Sequence, residues 1–193
     1  MGRQRTYAIF FALGTLLYAS IPFIAHEQGQ QPAVQWLIAF YAVSMIIFTM
    51  YGGGFAAIPA YLSDLFGTKF VGAIHGRLLT AWSTAGVLGP FAITYLRDHS
   101  LRAALSDLAT KIDPTLFEKT FGAPLTELPA LIAKKSVTLP KLMALVPPGT
   151  VDPSSTLYSS TMLTMAGLLV IAFVANWLVR PVDPKHRCVE AAK

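Results

Sequence analysis

The sequence predicts an all-α membrane protein: four transmembrane helices, with short amphipathic helices in a long extracytoplasmic loop. Three observations carry this. Charged residues make up 13% of the chain, about half the roughly 25% of a soluble globular protein. Hydrophobic residues make up 54%, with a mean hydropathy of +0.54. Four stretches lack Asp, Glu, Lys, Arg and His: Tyr7–Ala25, Ala33–Ser63, Leu78–Leu96 and Thr156–Val179. Each reaches the roughly 18 residues that a spanning helix needs. The same facts argue against a soluble enzyme, a disordered tail or a nucleic-acid module. The net charge of +5 does not revive the last, because the cations sit at the ends of apolar runs rather than on one polar face.

The first span is placed at about 6–26. Arg3 and Arg5 precede it, as in a signal peptide, but the run exceeds a usual h-region and three more follow, so a retained helix is expected. Met1-Gly2 opens a loose myristoylation pattern, to which little weight attaches beside spanning helices. The second span, about 33–63, would cover roughly 46 Å as a helix against a hydrocarbon core of about 30 Å. It must tilt, bend or pass beyond the bilayer, and Gly52-Gly53-Gly54 and Pro59 offer places to bend. The third, about 70–97, carries His75 and Arg77 in its first two turns, where an Arg can snorkel to the interface. Domain limits follow: 1–98 for three spans, 99–155 for an extracytoplasmic helical insert, 156–180 for the fourth span and 181–193 for a cytoplasmic tail.

Lys and Arg near the span ends set the orientation. Arg3, Arg5, Lys69, Arg77, Arg180, Lys185, Arg187 and Lys193 fall on one side, while the short loop His26–Pro32 has no Lys or Arg. A multi-pass protein of the cell (inner) membrane with both termini cytoplasmic is expected. The stretch Arg97–Ser155 has seven Lys/Arg against six Asp/Glu; long, nearly balanced segments translocate largely regardless of charge.

Inside the insert, Leu101, Leu105, Leu108 and Ile112 keep helical spacing. Asp113-Pro114 reads as an N-cap and N1 proline opening a helix through Phe121, which Gly122-Ala123-Pro124 stops. Leu128, Leu131 and Ile132 mark a third helix, and Leu139, Leu142 and Met143 a fourth, before the turn-rich Pro147–Pro153. A structural cap is the plain expectation; a lid or docking surface is the sharper one.

Residues with chemistry are few. Gly72/Gly76 and Ala81/Ala85/Gly89 stand four apart, a small-xxx-small spacing that lets helices approach closely in lipid. The Gly52–Gly54 triplet weakens a static helix, which favours a moving or cavity-lining role. Tyr51 and Phe55 share a helix face, and Thr80, Trp82, Ser83 and Thr84 lie toward mid-depth. Arg77 is the strongest intramembrane candidate; the alternatives are a snorkelling anchor or a partner for Asp64. His75 lacks the second span-borne His that haem ligation needs. Cys188 stands alone, which excludes an intrachain disulfide and Cys-based metal spacing. No catalytic set and no cofactor are expected, and hence no enzyme.

Two blocks, Tyr51-Gly-Gly-Gly-Phe-Ala-Ala-Ile-Pro-Ala-Tyr-Leu-Ser-Asp-Leu-Phe-Gly-Thr-Lys69 and Val71-Gly-Ala-Ile-His-Gly-Arg-Leu-Leu-Thr-Ala-Trp-Ser-Thr-Ala-Gly-Val-Leu-Gly-Pro90, resemble helices ten and eleven of the oxalate/formate antiporter family, within the major facilitator superfamily. Leu178–Lys185 resembles that family's last helix and its exit, and the insert is similar to one in a subset of such carriers. The resemblance implies helices nine to twelve of twelve, the C-terminal part of a two-half carrier that works by alternating access. It implies an incomplete unit: a fragment, a remnant, or a subunit completed by other transporter helices or another membrane chain. The alternative expectation is a non-transporting anchor or structural subunit of a larger complex.

The resemblance also implies that Tyr51, Phe55, Thr80 and Trp82 border the substrate pathway, and that Asp64, Lys69 and Arg77 form cytoplasmic gate or loop contacts. Oxalate-carrying members place a Lys in the middle of helix eleven. Read without gaps, that position falls near Trp82, and this span has no Lys. A monocarboxylate such as formate, lactate or pyruvate therefore fits at least as well as oxalate. The implied partners are membrane lipid, the missing helices and a small carboxylate substrate.

Overall fold

The computed structural model describes residues 2–183 and Lys185. Met1, Arg187, Cys188 and Lys193, with most of the tail expected at 181–193, lie outside the described residues. Among the described residues, seven α-helices follow in order: α1 (Gly2–Gln30), α2 (Val34–Phe66), α3 (Val71–Ala109), α4 (Pro114–Phe121), α5 (Leu128–Ala133), α6 (Leu139–Met143) and α7 (Ser159–Leu178). Single 3-10 turns at Leu125–Glu127 and Pro153–Thr156 complete the path, and no strand occurs among the described residues.

α1 is the central helix and packs along both α7 and α2. The approach is closest at Gly14, where an added Cβ would lie 3.0 Å from Leu169 Cδ1 and 3.6 Å from Met50 Cε. α2 remains helical through Gly52–Gly54 and Pro59, so neither signal breaks it. The triplet has a packing use: Gly53 and Gly54 receive the rings of Phe10 and Tyr7 from α1. α2 ends at Gly67, whose φ of 88° is costly for a residue with a Cβ.

Among the described residues, three helical segments are long and apolar enough to cross a membrane: α1, α2 and Pro153–Leu178, which ends in α7. The fourth expected span, in α3, is not among them. Thr80, Ser83, Thr84, Gly86, Gly89 and Pro90 dilute its charge-free stretch. Nor does α3 stop near residue 97. It runs on as one helix to Ala109, because Arg97-Asp98-His99 marks a change of polarity and contains no helix breaker.

Packing inverts along the chain. In the most apolar stretch of α2 no residue is buried, and Phe48, Ile171 and Trp177 are 68%, 65% and 76% exposed. The well-packed core is instead in the insert, where Leu105, Leu108 and Ala109 of α3 meet Ile112, Phe117, Leu128, Leu139 and Leu142. Phe117 and Leu142 are fully buried. Water demands such a core, whereas lipid tails are as apolar as Leu and do not. The protein is thus a helical membrane protein whose best-packed core lies between Leu105 and Leu157.

The short helices of the insert form where local chemistry places them. The Asp113 carboxylate accepts from the backbone N–H groups of Thr115 (2.8 Å) and Leu116 (3.3 Å) and from the Thr115 hydroxyl. These bonds hold its pKa below the ordinary carboxylate value. Gly122, at φ 70°, closes α4. α5 ends in a Schellman arrangement, Ser136 N–H to Leu131 O and Lys135 N–H to Ile132 O, both at 3.0 Å. Its left-handed residue is Lys135 (φ 55°) rather than the usual Gly.

Candidate functional site

Two constructions stand out in the helical bundle. The first is a polar knot at the end of the bundle remote from the insert. Arg3, in the first turn of α1, places a guanidinium near the positive end of the helix dipole, where a cation is unfavourable. Asp64 of α2 compensates, accepting from Arg3 Nη1 at 2.7 and 2.6 Å. Gln4 Nε2 donates to the carbonyls of Asn176 of α7 and of Val179, which caps it, each at 2.9 Å. Asn176, buried at 8% exposure, returns Nδ2 to Gln4 O at 3.1 Å and accepts the Tyr61 hydroxyl at 3.0 Å. Tyr7 stacks on Tyr61 with ring centroids 5.1 Å apart, and its hydroxyl donates to Gly54 O. The Val182 N–H donates to Leu65 O at 3.1 Å, drawing the chain beyond α7 onto α2. Every polar side chain in the knot has a partner, as burial near lipid requires.

The second is an aromatic crevice of about 300 Å³ where α1, α2 and α3 meet, with Leu169 of α7 on its wall. Tyr7, Phe10, Tyr18, Tyr51, Phe55 and Trp82 supply most of its surface, and no charged residue lines it. Phe55 and Trp82 touch, with ring centroids 5.5 Å apart. That contact joins α2 to α3.

The structure therefore gathers three of the four expected pathway residues, Tyr51, Phe55 and Trp82. Thr80 lies elsewhere: two residues from Trp82 is about 200° around a helix. Its hydroxyl donates to Arg77 O at 2.7 Å, and Thr84 donates in turn to Thr80 O at 2.8 Å. The three expected gate residues do not converge. Asp64 binds Arg3 rather than Arg77, Lys69 sits 5.3 Å over the Phe70 ring, and Arg77 is exposed on α3. An ion pair of Asp64 with Arg77 across the short loop is replaced by one that ties the second helix to the first.

The glycines of the small-residue spacing in α3 have no close neighbour among the described residues. A Cβ at Gly72, Gly76, Gly86 or Gly89 would meet nothing within 4 Å. His75 Nδ1 and Thr161 Oγ1 are buried without a hydrogen-bond partner among the described residues. Sequence reasoning missed the knot. Its available signal was Asn176, an amide in an otherwise apolar run, of the kind that hydrogen-bonds between helices in lipid.

No family model matches the chain, and no solved structure matches it. Among curated proteins, the chain is similar to the oxalate:formate antiporter of Oxalobacter formigenes, with 32% identity over 89 residues. The matched region is 46% of this chain and 19% of that protein, so the chain spans about a fifth of its length.

Proposed function

We propose that the chain is part of a secondary membrane carrier, and not an enzyme, that moves a small organic anion by alternating access. Formate, oxalate or another mono- or dicarboxylate is the substrate class. The observation that carries this reading is the 32% identity to an oxalate:formate antiporter, in a chain whose helices are built for lipid. The carrier is placed in the cell (inner) membrane, with both termini cytoplasmic on the charge pattern of Arg3, Arg5, Lys69, Arg77 and Arg180. The C-terminal half of a major facilitator is the finer assignment, with α1, α2, α3 and α7 as its last four helices. The remaining helices, or another membrane chain, complete the unit.

Roles divide by chemistry. A carboxylate entering a low-dielectric site needs a cation or several donors. The helices that complete the unit supply that cation, and Thr80 borders the pathway. Tyr51, Phe55 and Trp82 supply apolar wall and exclude water. Asp64, Lys69 and Arg77 act as cytoplasmic gate or loop contacts.

Uptake of labelled formate and oxalate into vesicles from cells carrying the native gene, against vesicles lacking it, tests the reading. Saturable exchange of either anion is expected. Correctly inserted protein with no flux of any small carboxylate rejects it.

A further inference from the structure

A groove of about 660 Å³ runs between the first turns of α1 and the end of α7. Its charge has one sign. Arg5 and Arg180 line it, and no acidic residue does. Arg3 nearby has its counter-charge in Asp64. Arg5 and Arg180 make no ion pair with the described residues. Gln4 and Asn176, which also border the groove, are tied into the knot. Two cations in one groove repel each other, and an anion between them turns that cost into attraction. Each guanidinium offers five N–H donors in a fork that fits phosphate oxygens.

Position identifies the anion. Arg5 is in the first turn of α1 and Arg180 lies two residues past the end of α7. Both helices belong to segments that are long and apolar enough to cross a membrane. Trp177, in the last turn of α7 and on the groove wall, is exposed, as is Leu178 beside it. An exposed Trp next to Arg at the end of a span is the pattern of the headgroup layer. Basic pockets between spanning helices at that level hold anionic lipid headgroups.

The groove is separate from the faces given to the pathway and to further helices. No residue of α2 or α3 lines it, whereas both border the crevice and α3 carries the open glycines. On α1, Arg5 stands two residues from Tyr7 of the crevice, about 200° around the helix. A helix docking on the groove would bury two guanidiniums, which is costly unless it brings carboxylates of its own. The chain beyond α7 leaves the groove at Pro181, since the Val182 N–H bonds to Leu65 of α2.

We infer that this groove binds the phosphate of an anionic membrane phospholipid between Arg5 and Arg180, with Trp177 against the glycerol and upper acyl chain. A zwitterionic headgroup fits less well, because its ammonium would meet two guanidiniums. The bound lipid joins the ends of α1 and α7 at the membrane surface. The inference needs the membrane setting and not the carrier reading.

The test places the whole native gene product in vesicles of equal parts phosphatidylcholine and phosphatidylglycerol, with the acyl chains of one lipid or the other brominated. Subtracting the fluorescence of Trp177→Phe isolates the quenching of Trp177. Brominated phosphatidylglycerol should quench it well beyond brominated phosphatidylcholine. Arg5→Gln and Arg180→Gln should each lower that preference by about fivefold, and either one serves if the other fails to insert. Arg97→Gln, outside the groove, should leave it unchanged. Three results overturn the inference: equal quenching by the two lipids, a preference that survives both Arg5→Gln and Arg180→Gln, or a preference abolished by inorganic phosphate at matched ionic strength, which would make this a site for a free anion. Failure of anion uptake leaves the quenching result untouched, so the two readings fall separately.

Discussion

The Tyr61 hydroxyl of α2 donates to Asn176 Oδ1 of α7 at 3.0 Å, although α1 is the helix that both pack against. This one bond closes a triangle among three helices, since Gln4 of α1 exchanges hydrogen bonds with Asn176 in both directions. Asn176→Leu should therefore loosen both contacts at once. The expected loss is about 1–2 kcal/mol, the upper range for interhelical hydrogen bonds in membranes. Unfolding in mixed micelles, with Tyr61→Phe and the double variant, reads it. The double variant should lose clearly less than the sum of the singles.

Arg3 and Asp64 form a short ion pair, but their side chains are 48% and 40% exposed. Exposed pairs contribute about 0–1 kcal/mol. A double-mutant cycle on Arg3→Gln and Asp64→Asn should give a coupling within that range, shrinking as salt rises.

Thr161 is 4% exposed and its hydroxyl has no hydrogen-bond partner among the described residues. Replacing an unsatisfied buried polar group by an isosteric apolar one is neutral or stabilising. Thr161→Val should leave helix content unchanged and raise stability by up to about 1 kcal/mol, measured by the same unfolding assay. A clear loss would mean that the hydroxyl has a partner in the membrane.

Lys135 occupies the left-handed position that glycine fills at low cost. Lys135→Gly should stabilise the insert by about 0.5–1 kcal/mol, the relief of a disfavoured φ less the added freedom of the unfolded chain. Hydrogen-exchange protection at Leu142 and Phe117 reports it.

Asp113 has its pKa lowered by the bonds it accepts from Thr115 and Leu116. A depressed carboxylate stabilises the fold above its unfolded pKa of about 4, and that stability is lost as the pH falls through the lower folded value. The insert should thus loosen in acid below about pH 4. Asp113→Asn, which still caps well, should flatten that dependence in a near-ultraviolet titration.

Much of this architecture could be read from local chemistry. The Asp113-Pro114 start and Gly122 stop of α4 depend on neighbours in the chain, and the structure places them as the spacing predicts. The charge-free runs mark the helices because lipid excludes charge wherever it meets them. Two features escaped. α3 passes through Arg97-Asp98-His99 without ending, since polarity decides where water begins and not where a helix stops. The knot joins residues more than a hundred positions apart, and no spacing rule reaches that far. Within the crevice, the four-residue step from Tyr51 to Phe55 was visible in the sequence. The meeting of Phe55 with Trp82 across two helices is a tertiary fact.

The continuity of α3 gives the molecule a lever. The helix that starts at Val71 also supplies Leu105, Leu108 and Ala109 to the core of the insert. Thirty-nine residues at 1.5 Å each reach about 58 Å, so a tilt of about 10° at the Val71 end would swing the far end by roughly 10 Å. Any tilt of this rod must therefore be carried to its other end, as a displacement of the whole packed cluster there.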